Sequence, residues 1–194
     1  MSAKSRRKSV IAAAAVVPVV LVGSLLWGGL LAQGATRKDE KRIARATLID
    51  ATGATVGKVR FERRGRSRAL RVSVLVRTLS PGFHGFHVHA VGRCEGPGFL
   101  TAGPHLNSTG ATHPEHAGDM PPLLVTRGGK AEARFVTDRF SIADLRDADG
   151  SAVMVHALPD NHANIPEERY EPDPDATTLA TGDAGARAAC GRVR

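Results

Sequence analysis

Aromatic side chains and cysteines are the scarce residues of this chain. Tryptophan and tyrosine occur once each and phenylalanine six times, so aromatics make up 4% of the 194 residues. With so few rings and no recognition motif, nucleic-acid binding has little to stand on. Only two cysteines are present, Cys94 and Cys190, and neither is near the N-terminus. A lipid-modified N-terminal cysteine is thereby excluded. Acidic residues are absent from the first 36 positions, no internal repeat is visible, and residues 92–122 show no amphipathic period.

Those first 36 residues differ in kind from the rest. Lys4, Arg6, Arg7 and Lys8 precede an uncharged run, residues 9–36, rich in Ala, Val and Leu. A basic head followed by an apolar run is the pattern of an export signal, and this run is also long enough to span a bilayer. Small residues at Ala32-Gln33-Gly34 suit cleavage, so residues 1–36 read as a signal peptide or a membrane anchor. Residues 37–44 form a charged linker and residues 45–194 a domain. Arg37, Lys38, Lys41, Arg42 and Arg45 leave the positive-inside comparison nearly balanced. Two cysteines beyond an export signal read most simply as one disulfide in an oxidising compartment, with unrelated buried thiols the alternative. Outside the first 36 residues, 23 basic side chains face 19 acidic ones. That modest surplus can concentrate a small anion.

Short alternating runs dominate the domain: 46–50, 56–61, 70–76, 86–89, 123–126 and 131–136, with a continuous apolar run at 152–155. Period-two alternation broken by glycine argues for antiparallel strands with one buried face. About eight such strands with two long loops predict an all-β domain, a Greek-key β-sandwich or flattened barrel, preceded by the apolar signal or anchor helix. Within the fourth run stands Phe86-His87-Val88-His89. Strand side chains alternate between faces, so His87 and His89 share one face and can grip one ion. Six further residues of ligand type follow: His105, His113, His116, Asp119, His156 and Asp160. Ordering residues 92–122 costs entropy that their few apolar side chains cannot offset. Metal ligation would supply the missing stabilisation.

The order of these motifs resembles that of copper/zinc superoxide dismutases. The matching stretches are Gly85-Phe86-His87-Val88-His89 with Gly92 and Cys94, then Ala102-Gly103-Pro104-His105, and His116-Ala117-Gly118-Asp119. They continue with Val155-His156 and Asp160, then Thr181-Gly182-Asp183-Ala184-Gly185-Ala186-Arg187 and Ala189-Cys190-Gly191, so the resemblance runs from Ala46 to Val193. It implies copper held by His87, His89, His105 and His156, and zinc held by His105, His113, His116 and Asp119. His105 would bridge the two metals. Asp160 would orient His87 and His113, Arg187 would guide the anionic substrate, Thr181 would line the entrance, and Cys94 would pair with Cys190. The implied activity is dismutation of superoxide to dioxygen and hydrogen peroxide, carried by Arg187 and His105, outside the cytoplasm. A non-catalytic copper-buffering domain of the same fold is the competing reading.

Two departures from the family pattern stand out. Only two residues separate His113 from His116, where many relatives have a longer excursion. The acidic-acidic-lysine steering pattern has no counterpart, since Leu179 and Ala180 precede Thr181 and an acidic run fills residues 166–175. His84 and His162 lack a matched role: His84 is expected to be structural behind the site and His162 to lie at the surface. Superoxide is the expected partner, and a membrane tether and a homodimer both remain open.

Overall fold

A computed structural model describes residues 42–194, apart from Glu167 and Tyr170. The expected signal or anchor, residues 1–36, and linker residues 37–41 lie outside the described residues. Eight strands follow one another: β1 (Ile43–Asp50), β2 (Thr55–Arg63), β3 (Leu70–Val76), β4 (Gly82–His89), β5 (Asp119–Val125), β6 (Ala131–Thr137), β7 (Ala152–His156) and β8 (Arg187–Arg192). The only α-helix among the described residues is the short α1 (Ala176–Thr181), and two single-turn 3₁₀ segments punctuate the loops. All pairings are antiparallel, in the order β5-β4-β7-β8-β1-β2-β3-β6. The end strands β5 and β6 also meet, so the sheet nearly closes into a barrel.

Alternation places the core. In β3, Leu70, Val72, Val74 and Val76 point inward and are buried, while the residues between them are half-exposed. Phe61 from β2 and Phe86 and Val88 from β4 join them, with Val153 and Val155 from β7. Burying each of these side chains stabilises the fold by about 1.5–3 kcal/mol. Strands β4 and β7 are buried on both faces. Their outer face carries His87, His89, Ala152, Met154 and His156, and it is covered by loops instead of solvent. Ala152 and Met154 pack there with Phe99, Ala102 and Cys190 in a second, smaller cluster. Cys94 is bonded to Cys190 beside that cluster, with 5.6 Å between the Cα atoms.

Two differences from the sequence expectation have physical causes. Strand β5 starts at Asp119 and contains Pro121 and Pro122, within a stretch the missing period assigned to loop. Proline has no N–H for a ladder, and it is tolerated at a bulge or an edge. Here the register slips between His84 and Phe86 opposite the two prolines, on the strand at the end of the sheet order. Strand β8 was hidden because residues 187–192 lack alternation: Ala189, Cys190 and Gly191 are buried consecutively between the two clusters. Strand β1 begins at Ile43, two residues before the expected start of the domain at residue 45.

Candidate metal centre

Strand β4 sets the base of the site. His87 and His89 emerge on its outer face, fully buried beneath the loops, as two-residue spacing requires. His156 ends the neighbouring strand β7 on the same face, and Asp119 opens β5 directly opposite His87. The long loop brings in His105, bridged to His89 and held by a bond from the Ala90 N–H to the Pro104 carbonyl at 2.9 Å. The His113 N–H donates to the carbonyl of Leu179 in α1 at 2.8 Å, which ties the second loop to the first.

Each ring is oriented through one nitrogen, and the other is left free. His87 Nε2 donates to Asp160 Oδ2 at 2.7 Å, His89 Nδ1 to the Gly103 carbonyl at 2.8 Å, and His156 Nδ1 to the Gly185 carbonyl at 3.1 Å. A carbonyl can only accept, so the proton sits on the bonded nitrogen and its partner keeps a lone pair. His87, His89, His105 and His156 each offer one ring nitrogen, and these four atoms lie within 4.8 Å of one another. His89 Nε2 and His156 Nε2 approach to 3.4 Å. Buried and lacking any hydrogen-bond partner, His87 Nδ1 and His105 Nε2 are orphans. Orphaned lone pairs converging on one point are costly unless a cation sits among them.

A second gathering lies on the far side of His105. His105 Nδ1 is 2.8 Å from Asp119 Oδ1, while His113 Nδ1 and His116 Nδ1 are 3.1 and 3.2 Å from Asp119 Oδ2. His116 Nδ1 is also 3.3 Å from His105 Nδ1. A tetrahedral zinc ion with ligands at ~2.0–2.1 Å sets its ligand atoms roughly 3.3 Å apart. His113 Nδ1 is near the carboxylate yet is not aligned to donate to it. His105, His113 and Asp119 fall in one ligand-capable group together with His87, and His116 Nδ1 reaches that group through Asp119 and His105; imidazole nitrogens with a carboxylate are a donor set that suits zinc. Asp160 joins the halves, accepting from His87 Nε2 at 2.7 Å and from His113 Nε2 at 2.8 Å. Gly182 makes that join fit. Its φ is +59°, and a Cβ there would collide with Asp160 Oδ1 and come within 2.5 Å of His113 Nε2.

Electrostatics follow the same division. Burial lowers the pKa of His87 and His116, lowers that of His89 well below its usual value, and takes His156 to about 3. These imidazoles stay neutral at neutral pH, as ligands must. Burial also opposes charge on His113, but the Asp119 and Asp160 carboxylates outweigh it and raise its pKa to about 9. Both carboxyls are disfavoured by burial, yet the histidines beside them hold them well below the ordinary range.

Beside the first cluster opens a cavity of about 410 Å³, lined by His105, His156, Thr181, Asp183 and Arg187 among others. Arg187 is fixed by donation from Nη1 to the Phe99 carbonyl at 2.6 Å and from Nη2 to the Gly103 carbonyl at 2.7 Å. The Gly103 carbonyl thus holds both Arg187 and His89. Thr181 Oγ1 donates to the Thr177 carbonyl, and Asp183 accepts from Asn161 and Thr178. None of the described residues in the acidic run 166–175 lines this cavity. His84 is buried behind the site, its Nδ1 2.7 Å from the His156 carbonyl and its Nε2 2.8 Å from the Ser80 carbonyl. His162 is half-exposed, its ring parallel to that of His113 with centroids 6.2 Å apart.

Sequence reasoning had no access to Arg139. Its guanidinium donates to the carbonyls of Pro114 at 2.6 Å and His116 at 3.2 Å, clamping the turn between two zinc-type ligands. An arginine two residues beyond β6 carries no local mark of that role. The carbonyls of Phe99, Gly103 and Gly185 were equally invisible, because every residue has one.

Comparison with known proteins bears on this geometry. The family described as copper/zinc superoxide dismutase matches residues 55–193. A curated superoxide dismutase [Cu-Zn] of Mycobacterium tuberculosis is 41% identical over 164 residues, covering 76% of this chain and 68% of that protein. A superoxide dismutase [Cu-Zn] 2 of Brassica juncea is 33% identical over 152 residues, covering 75% of this chain and 93% of the relative. Among solved structures, a SOD-like protein from Bacillus subtilis superposes with a TM-score of 0.62 at 27% identity, covering 76% of this chain and 96% of that one.

Proposed function

The chain belongs to the copper/zinc superoxide dismutase family, and from that premise we infer which of its residues carry the dismutation of superoxide to dioxygen and hydrogen peroxide. Copper and zinc are its cofactors. Copper falls to His87 Nδ1 and to Nε2 of His89, His105 and His156; zinc falls to Nδ1 of His105, His113 and His116 with Asp119. The observation that carries this assignment is the approach of His89 Nε2 and His156 Nε2 to 3.4 Å, with both Nδ1 protons already committed to carbonyls.

When bound, copper supplies the one-electron exchange that oxidises one superoxide and reduces another, and zinc fixes the imidazole of His105 from its far side. The protein's own groups do the rest. Arg187 presents positive charge at the cavity, its guanidinium held in place by two carbonyls, so a small anion is drawn in and oriented without side-chain reorganisation. His105 lines the cavity, and its Nε2, which has no hydrogen-bond partner, is the atom suited to hold a proton for the reduced oxygen. Asp160 keeps the protons of His87 and His113 on Nε2, which leaves both Nδ1 atoms free to ligate. Thr181 and Gly185 narrow the entrance beside His156.

The domain works outside the cytoplasm, delivered by residues 1–36 as an export signal or anchor. Its disulfide supports that location, because such bonds persist in oxidising compartments. Metal analysis of the purified protein should return copper and zinc together, and stopped-flow superoxide decay should far exceed that of an equal amount of free copper. Decay no faster than free copper would leave only the copper-buffering reading. The N-terminal mass of the protein recovered from its own cells tells whether residues 1–36 are retained.

A further inference from the structure

The turn between β2 and β3 is an arginine tip. Residues 63–68 read Arg63-Arg64-Gly65-Arg66-Ser67-Arg68, all exposed, with no carboxylate among them. Two more arginines are brought to the same end, one by a backbone bond and one by a side-chain bond to the backbone. The Arg63 N–H donates to the Arg42 carbonyl at 2.8 Å, and Arg146 Nη2 donates to the carbonyl of Ile43 at 3.0 Å. Elsewhere some basic side chains have a carboxylate beside them, as Arg60 has Glu62, Arg93 has Glu95 and Lys130 has Glu132. Among the described residues, Arg42, Arg63, Arg64, Arg66 and Arg68 have no ion-pair partner. Part of this cluster rims a cavity of about 490 Å³ whose floor is apolar, with Arg63, Arg68 and Arg146 around Leu70 and Ile142. The residues of this end line no part of the metal cavity.

The guanidinium groups of Arg63 and Arg68, without an ion-pair partner and set beside an apolar floor, suit an amphiphilic anion, whose phosphate meets guanidinium groups while its neck meets carbon. The chain itself indicates the source of such anions. It enters the domain at Arg42, within this cluster, and the uncharged run ends only six residues earlier, at Thr36. Extended, that tether reaches roughly 20 Å. We propose that the arginine tip docks on the anionic phospholipid surface of the membrane engaged by residues 9–36. A single apolar attachment leaves a domain free to swing, and a basic patch supplies the second contact that holds it down. A nucleic acid or an acidic envelope polymer fits less well, because neither explains the apolar floor beside the tether.

The proposal rests on the reading of residues 9–36 as a retained anchor, and the test separates the two. The full chain is mixed with phosphatidylglycerol or phosphatidylcholine vesicles, at low and high salt. Flotation that resists salt reports the anchor. Backbone hydrogen exchange across residues 63–70 reports the tip, and it should slow roughly tenfold on phosphatidylglycerol at low salt only. The variant Arg64→Gln/Arg66→Gln/Arg68→Gln should lose this protection while keeping full dismutase activity. Salt-resistant flotation with equal exchange on both lipids would overturn docking and leave the anchor standing. Protection on phosphatidylglycerol without salt-resistant flotation would support docking and refute the anchor. Protection that persists in the triple variant would overturn docking, and so would its appearance on phosphatidylcholine. Should the triple variant fail to fold, the comparison of the two lipids on the unaltered chain still decides.

Discussion

At the scale of single residues, the site depends on groups that touch no substrate. Asp160 accepts from both His87 and His113, so one carboxylate sets two tautomers in two clusters. Asp160→Asn keeps the shape but turns one acceptor into a donor, and a donor cannot receive a second ring N–H. Affinity for copper and for zinc should both fall, by roughly 10–100-fold, in competition titrations against a chromophoric chelator. Arg139 acts on one cluster alone, through the carbonyls of Pro114 and His116. Arg139→Ala should speed zinc release by about tenfold while leaving copper affinity within a factor of about two, with Arg139→Lys intermediate. Equal loss of both metals would mean that the arginine merely supports the fold. Histidines at strand and loop positions were legible from their order in the chain, whereas the partners that orient them were not. A carbonyl or a distant arginine gains its role only from where the chain returns.

At the scale of elements, the strands were legible and their limits were not. Alternation marks β3 because one face is wet and the other dry, but β8 runs between two dry faces and shows no alternation. The prolines of β5 argue against a strand until the bulge opposite them is seen. Residues 92–118 have few apolar side chains, so their order must come from attachment. The Cys94–Cys190 bond, with a sequence separation of 96, is one attachment, and the small cluster around Phe99 is another. In the chain-entropy account, a link across that length contributes about 4–5 kcal/mol. Replacing both cysteines by serine should lower the melting temperature substantially. It should also loosen the Phe99 carbonyl that holds Arg187, so KM for superoxide should rise more than metal affinity falls. Thermal unfolding and saturation kinetics on the doubly substituted protein check both parts.

At the scale of the whole molecule, charge decides approach and stability. Among the described residues Arg187 is the only arginine or lysine lining the metal cavity, Asp183 also lines it, and Thr177 and Ala180 come from the wall of α1. Superoxide association should therefore be slower and depend more weakly on ionic strength than in relatives with lysine-guided entry; a steep fall in rate with added salt would refute this. Metal-free protein should be most stable near neutral pH. His156, with its pKa taken to about 3, binds fewer protons folded than unfolded between about 3 and 6.5, so stability falls as pH drops through that window; His87 and His89, lowered by burial, act in the same direction. His113, raised to about 9, binds more protons folded than unfolded between 6.5 and about 9, so its contribution is lost as pH rises there. Melting temperatures of chelator-treated protein across pH 4–10 should trace that dome. Sequence patterning suffices for the strands that have one wet face, the export-like head and the order of ligand-type residues, because alternation and spacing are local and survive in a linear chain. Which nitrogen of each ring is free, that Asp160 spans two clusters, and that five arginines gather unpaired where the chain enters the barrel are consequences of folding alone. They arise from contacts between segments as much as 73 residues apart, and no local regularity encodes such a meeting.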